Sequence, residues 1–168
     1  LLQQAIAEHR DWYYGDHGYF RRGRYYRATR NAYQPSGCGE ATPDRWHQLH
    51  VDRQPTWKRD GAAIVLCPNS PIYMEHHTGK PVAQWLGETV AGLAAHTDRP
   101  IRIRWKRDAK ERPLRLDLQD AWIVVAYSSA SAVEALADGV PVCTLAPWAS
   151  TARMGITDLA QIEAPIYP

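Results

Sequence analysis

The feature that most constrains the fold is an alternation of short apolar segments and amphipathic ones in the second half of the chain. Continuous apolar runs of strand length are typical of strands buried on both faces of a parallel sheet. Such runs and one alternating segment predict four strands, over residues 62–67, 100–105, 121–126 and 140–145. Helices or helical turns are predicted between these strands over residues 81–96, 113–119 and 131–138, and a further helix over 155–162 closes the sequence. This order predicts right-handed βαβ units and a Rossmann-like α/β fold, with a parallel sheet flanked by helices.

The first sixty residues have a different composition. Residues 1–10 predict a short helix, and 11–14 a strand that ends at Gly15 and Asp16. Residues 17–39 mix glycine, tyrosine and arginine without helical or strand periodicity, which predicts an ordered, functional loop region. A connector follows, with a short strand near 48–51. We therefore expect an irregular or partial second domain over residues 1–60 and the Rossmann-like domain over 61–168.

Composition limits the classes of protein. The formal net charge of +2 gives no global argument for a polyanionic partner. Three cysteines are too few and too scattered for a disulfide framework or a zinc site, and their odd number favours a reducing, cytoplasmic location. No run approaches ~18 apolar residues, so we expect no membrane span.

Glu75, His76 and His77 lack a third ligand at a useful spacing, and we predict an exposed turn there and no metal site.

Three serines separate the predicted strand 121–126 from the helix that follows it. In a parallel sheet, ligands bind where strand carboxyl ends meet helix N-termini, and free N–H groups at a helix start favour a phosphate. Ser128, Ser129 and Ser131 would add hydroxyl donors. Ser131 and Glu134 also have the spacing of a capping box, with Gly139 and Pro141 placed to end the helix. The same residues therefore fit either a phosphate site or an ordinary capped helix.

Residues 120–142, DAWIVVAYSSASAVEALADGVPV, resemble the donor-site segment of GT-B glycosyltransferases of the capsule-polysaccharide and Kdo-transferase type. The resemblance covers about residues 61–160. It implies one nucleotide-sugar-binding half of a GT-B enzyme, with a nucleotide sugar as co-substrate and no metal or other cofactor. The donor-binding residues it implies are Arg104, Lys106, Ser128, Ser129, Ser131 and Glu134. Ser70 is a further donor-binding candidate from its position, because it follows the first predicted strand of the domain at the carboxyl edge of the sheet, where it would contact donor or acceptor. The chain departs from the family where a second glutamate would precede Glu134 by eight residues, since Ala126 stands there.

Asp16 and His17 are the predicted catalytic residues. Inverting glycosyl transfer needs a general base for the acceptor hydroxyl, and an acid beside an imidazole between glycines suits that task. We expect Asp16 to be the base, with His17 as its partner or substitute. An aspartate that caps a turn and a histidine that packs on tyrosines are the structural alternatives. Segments 14–20 and 25–31 resemble parts of phage-encoded glycosyltransferase-like proteins, which implies a bacterial or phage-infected host cell.

The densest positive patch lies in the same region and is interleaved with tyrosines. It comprises Arg21, Arg22, Arg24, Arg27 and Arg30. Arginine neutralises phosphates while tyrosine rings stack on bases or sugars, so we predict an acceptor surface for nucleic acid, including DNA with a modified base. Alternatively, the arginines reach the donor phosphates or form a solvated loop face.

The sequence thus predicts a glycosyltransferase that moves a sugar from a nucleotide-sugar donor to a hydroxyl of a modified base or a polysaccharide. A non-catalytic nucleic-acid-binding module on a degenerate Rossmann domain is the first alternative. A sugar-nucleotide epimerase is the second.

Overall fold

The computed structural model describes residues 2–21, 23–35, 44–48 and 56–167, apart from the side chains of residues 45, 46, 109 and 110. The chain divides into two compact units. The N-terminal unit comprises Leu1–Asp52 together with Trp148–Ser150, and the sheet unit comprises Arg53–Pro147 and Thr151–Pro168.

The N-terminal unit is built on an antiparallel hairpin. Its elements are α1 (Leu2–Ala7), β1 (Tyr13–His17), β2 (Tyr26–Arg30) and α2 (Asp44–Gln48). In the hairpin register Tyr13 faces Arg30 and His17 faces Tyr26. The helix predicted over residues 1–10 is confirmed over Leu2–Ala7. The strand predicted near 48–51 lies outside the described residues except for Gln48, which ends α2.

The hairpin corrects the prediction that Gly15 and Asp16 end a strand and that residues 17–39 form a loop. Instead, β1 runs through both residues to His17, and β2 lies inside the predicted loop. Asp16 pairs in register with Arg27, and their side chains form an ion pair of 2.9 Å. Cross-strand opposite-charge pairs and tyrosines favour a ribbon. The glycines and arginines between them obscured the period-two pattern.

The segment Trp148–Ser150 is held within the N-terminal unit by side chains of that unit. The Ser150 backbone N–H donates to Oε1 of Gln34, which is only 6% exposed, at 3.0 Å. The hydroxyls of Tyr19 and Ser150 are 2.9 Å apart. The Trp148 ring contacts the Tyr33 ring, with centroids 5.7 Å apart.

The sheet unit is an α/β structure with a four-stranded parallel sheet. Its helices and strands are β3 (Ala63–Cys67), α3 (Pro71–Thr78), α4 (Val82–Ala94), β4 (Ile101–Ile103), α5 (Leu114–Asp117), β5 (Ala121–Ala126), α6 (Ala130–Ala137) and β6 (Val142–Thr144). Short 3₁₀ turns occupy Lys106–Lys110, Leu118–Asp120, Ala152–Met154 and Leu159–Gln161. The strand order is β4-β3-β5-β6, and all three pairings are parallel. The predicted four-stranded parallel sheet flanked by helices is confirmed.

Residues of the central strands alternate between the two faces of this sheet, and both faces are buried because other elements pack against each of them. One face packs side chains such as Val65 and Val124 against α6. The other packs side chains such as Ile64 and Ile123 against α3, α4 and Ile162. The two faces together form a three-layer core, as expected for the continuous apolar runs of β3 and β5.

Two secondary-structure predictions in this unit are wrong, one of a turn and one of a helix. The segment around Glu75 was expected to be an exposed turn, yet it lies in α3, which begins at Pro71 and ends before Gly79 with a left-handed backbone (φ 69°). Only Met74 of α3 is buried, so the segment carries little helical periodicity. The helix predicted over 155–162 is reduced to the turn Leu159–Gln161, because Ile156 instead pairs in parallel with Cys143 beside β6.

Candidate functional site

The carboxyl ends of β3 and β5 lie side by side at the centre of the sheet, where Cys67 pairs with Ala126. From β3 the chain leads to α3 on one face of the sheet, and from β5 it leads to α6 on the other. This divergence is the topological switch point of an open α/β sheet, the usual position of a ligand crevice. Residues 68–73 and 127–131 form its two sides, and we call it the switch-point site.

Ser128 connects the two sides of the switch-point site. Its backbone N–H donates to Oδ1 of Asn69 at 3.3 Å, and its hydroxyl lies 2.9 Å from that of Tyr73. The residue is only 5% exposed. Ser128 therefore positions the loop before α6. Tyr73 was missed from the sequence because α3 itself was missed.

Ser129 is the N-cap of α6. Its hydroxyl oxygen accepts from the Ser131 backbone N–H at 3.3 Å and from the Ser131 hydroxyl at 2.8 Å. The capping box predicted from Ser131 and Glu134 is therefore wrong, since the helix begins at Ala130, one residue earlier than predicted, with Ser129 as its cap. Glu134 instead lies on the exposed side of the second turn.

The carboxyl end of α6 confirms the prediction for Gly139. This residue has φ 73°, and its N–H donates to the carbonyl of Leu136. The N–H of Val140 donates to the carbonyl of Ala135. This pair of bonds is a Schellman motif, which requires a left-handed residue and so favours glycine.

Ser70 stands at the N-terminal end of α3, on the opposite side of the switch-point site. It is exposed, and its side chain makes no capping hydrogen bond to the helix. The structure thus places two serines, Ser70 and Ser129, at the starts of the two helices that diverge from the sheet centre.

Arg104 follows β4 at the same edge of the sheet but is engaged internally. Its Nη1 donates to Oδ2 of Asp117 at 2.6 Å, and the carbonyl of Arg112 accepts from its Nη2. The side chains of this ion pair are only 9% and 13% exposed. Arg104 therefore has a structural partner that the sequence did not reveal. Lys106 is exposed and lies in the following 3₁₀ turn.

Cys67 ends β3 beneath the switch-point site. It is 3% exposed, and burial raises the pKa of its thiol to about 11, with a hydrogen bond from Ser131 opposing the rise. Because the thiolate is the nucleophilic form, this cysteine is an inert core residue.

Asp16 and His17 are adjacent in β1, so their side chains lie on opposite faces of the hairpin. The Asp16 carboxylate accepts from Arg27 at 2.9 Å and from the His17 backbone N–H at 2.7 Å. The His17 ring packs against Tyr26, with centroids 5.0 Å apart, and its buried Nδ1 has no hydrogen-bond partner among the described residues. The structure does not bring the two predicted catalytic groups together as an acid–imidazole pair.

The predicted arginine patch is partly neutralised. Arg27 donates to the Tyr33 carbonyl as well as to Asp16, and Arg30 pairs with Asp11. Arg21 and Arg24 are exposed in the segment between the strands. Arg22 lies outside the described residues.

In comparisons with known proteins, no family model, curated protein or solved structure matches this chain. Within the described residues, no group of three or more histidine, cysteine or acidic side chains has the arrangement of a metal site. Over the same parts of the chain, no helix combines the length and apolar character needed to cross a membrane.

Proposed function

We propose that the sheet unit binds a phosphate-bearing nucleotide at the switch-point site, as the nucleotide-sugar donor of a GT-B-type glycosyltransferase. The observation that supports this most strongly is the strand order β4-β3-β5-β6, with serines at the starts of both helices that leave the central strands. Helix N-termini carry partial positive charge and unpaired N–H groups, which together favour phosphate.

The residues divide into ligand-facing and positioning groups. Ser70 and Ser129 supply hydroxyls for the phosphates, assisted by Ser131, while exposed Lys106 supplies a cation near the end of β4. Glu134 presents a carboxylate on α6 for hydroxyls of the donor sugar. Ser128 and Arg104 act as positioning residues, since their polar groups already have internal partners.

In the transfer step, the acceptor oxygen forms a bond to the anomeric carbon as the bond between that carbon and the phosphate oxygen breaks. The nucleoside phosphate leaves with the bonding electron pair, and the acceptor proton passes to a general base. The Asp16 carboxylate is the first candidate because it is 40% exposed and held in place by Arg27. His17 is the alternative base.

Thermal-shift measurements with UDP, CMP, GDP and their sugars test the donor site. A ligand present at about one hundred times its Kd stabilises the native state by about 2.7 kcal/mol. We expect a clear rise in Tm with at least one nucleotide at millimolar concentration. No rise with any of them contradicts the proposal.

Ser129→Asp separates ligand binding from helix capping. Aspartate caps helices as well as serine does, but its carboxylate repels a phosphate. We expect the variant to keep the apo Tm and to lose the nucleotide-induced rise. Asp158→Ala is the control, because Asp158 caps the turn Leu159–Gln161 by accepting from Ala160. It should lower the apo Tm and preserve the nucleotide-induced rise.

A further inference from the structure

The hairpin presents one face to solvent, and the strand alternation determines which residues lie on it. Three cross-strand pairs share this face, which we call the outer ribbon face: Tyr13 with Arg30, Gly15 with Ala28, and His17 with Tyr26. The opposite face carries the neighbouring positions of each strand, including Asp16 and Arg27. Apart from His17, the alternative base named above, the proposed function uses no aromatic ring of the outer ribbon face.

Two large aromatic side chains are left in water on this face. Tyr13 is 72% exposed and Tyr26 is 69% exposed. The rings stand at opposite ends of the face, because Tyr13 and His17, the partner of Tyr26, are four residues apart on one strand, about 13 Å. Between them, a Cβ added at Gly15 would meet no atom of the described residues within 4 Å, its two chain neighbours aside. The outer ribbon face is therefore an uncovered surface with an exposed tyrosine ring at each end.

The ring of Tyr26 has an aromatic neighbour on the same face that restricts its orientation. The His17 ring lies against it with a tilt of 32° and a centroid separation of 5.0 Å. A tyrosine has few rotatable bonds, and a neighbour that fixes its ring lowers the entropy cost of stacking a ligand on it.

Charge at the turn end of the hairpin favours an anionic ligand. Within residues 2–21 and 23–35 there are five arginines and three carboxylates, and each carboxylate pairs with one arginine. The two arginines left over are Arg21 and Arg24, and both are exposed. They lie between the strands, at the end of the face where Tyr26 stands.

We infer that the outer ribbon face binds single-stranded nucleic acid, with unpaired bases on Tyr13 and Tyr26 and backbone phosphates near Arg21 and Arg24. Aromatic platforms beside cations are the means by which proteins bind single strands without reading their sequence. A duplex keeps its bases stacked on one another and offers no free base face to these rings. A neutral glycan would leave the two arginines without a role. This inference does not depend on glycosyl transfer by the sheet unit.

Fluorescence anisotropy with the full chain and a labelled oligothymidylate of about 12 nucleotides, within the usual range of site sizes, tests the inference. An oligouridylate of the same length and a matched duplex are measured in parallel. We expect both single strands to bind at low salt and the duplex to bind more weakly. If neither single strand binds, or if the duplex binds more tightly, the inference is wrong.

Substitutions locate the binding on this face. Tyr13→Ala and Tyr26→Ala should each weaken binding about 5- to 150-fold, the range measured for loss of a stacked base, while Tyr13→Phe should retain it. Arg24→Gln should reduce the slope of log K against log salt by about 0.7, as expected for one lost phosphate contact to a single strand. Because Tyr13 and Tyr26 are largely in water, their alanine variants should keep the wild-type Tm.

Two controls exclude other locations. Tyr25 is 38% exposed and belongs to the opposite face of the same hairpin, where its ring centroid lies 5.7 Å from the Arg24 guanidinium carbon, so Tyr25→Ala should weaken binding less than Tyr26→Ala. Ser129→Asp alters only the switch-point site and should leave the affinity unchanged. Equal losses in Tyr25→Ala and Tyr26→Ala overturn the inference. A loss in Ser129→Asp alone overturns it as well, and shows that the oligonucleotide occupies the switch-point site.

Discussion

The buried ion pair of Arg104 and Asp117 gives the sharpest test of how the sheet unit uses its polar residues. Asp117→Ala removes the carboxylate that accepts from Arg104 at 2.6 Å, and among the described residues it leaves the guanidinium the carbonyl of Arg112 as its acceptor. Removing one partner of a buried pair costs about 3–5 kcal/mol, because the remaining charge stays buried without compensation. The pair is slightly exposed, at 9% and 13%, so we expect about 3 kcal/mol.

Arg104→Met should cost less than Asp117→Ala. Asp117 keeps a second partner in that variant, since Arg112 Nε lies 2.9 Å from Oδ1 and is more than half exposed. We expect a loss of about 1–2 kcal/mol, because the carboxylate remains paired. For a chain of this size, about 2–4 °C of Tm corresponds to each kcal/mol. Urea unfolding and differential scanning calorimetry measure both losses.

Arg102→Met is the matched control. Arg102 precedes Arg104 by two residues and pairs with Asp120, but both side chains are nearly half exposed. An exposed pair contributes about 0–1 kcal/mol, so this variant should lie close to the wild type. If Asp117→Ala is no less stable than Arg102→Met, the reasoning fails. If Arg104→Met keeps its stability but loses the nucleotide-induced rise in Tm, Arg104 binds the ligand, as the sequence predicted.

Three further predictions concern pH, thiols and close packing. Burial, and next the neighbouring His76, lower the pKa of His77 below its usual 6.5. The free energy of unfolding should therefore decline as the pH falls below 6.5, and it should decline less in His77→Gln. Urea titration at several pH values measures both. Burial raises the thiol pKa values of Cys67 and Cys143 to about 11 and 12. Both cysteines should therefore resist alkylation until urea is added, and peptide mapping of the alkylated protein measures this. Gly61→Ala places a Cβ 2.1 Å from the carbonyl oxygen of Ala121, the first residue of β5, and should lower the free energy of unfolding by about 1–3 kcal/mol. Gly87→Ala, in open space on α4, should not destabilise the protein. Calorimetry measures both variants.

The sheet could be predicted from the sequence because burial on both faces requires apolar residues throughout each central strand. The runs that became β3 and β5 contain no charged, amide or hydroxyl side chain, and Pro81 marks the start of α4. The hairpin and α3 could not be predicted in this way. In the hairpin, ion pairs and exposed tyrosines replace the usual alternation of apolar and polar residues. In α3, a single buried residue gives too little periodicity.

The candidate site could be predicted in position but not in detail. Serines between a buried strand and a helix indicated the sheet edge correctly. The sequence could not show that Ser129, rather than Ser131, begins the hydrogen bonding of α6, because helix starts depend on backbone geometry. It also could not show that Arg104 meets Asp117, since ion-pair partners depend on how the chain returns to the sheet edge.

The strand order also has a consequence for the way the protein is synthesised. The first strand of the sheet unit, β3, becomes a central one, with β4 on one side and β5 on the other. During translation β3 can pair only with β4, a three-residue strand, until β5 leaves the ribosome. Until β5 is synthesised, the apolar strand β3 has an unpaired edge. Such an edge favours aggregation and the binding of chaperones. We therefore expect chains truncated before Ala121 to be insoluble, although they contain the whole of the hairpin and both helices between β3 and β4.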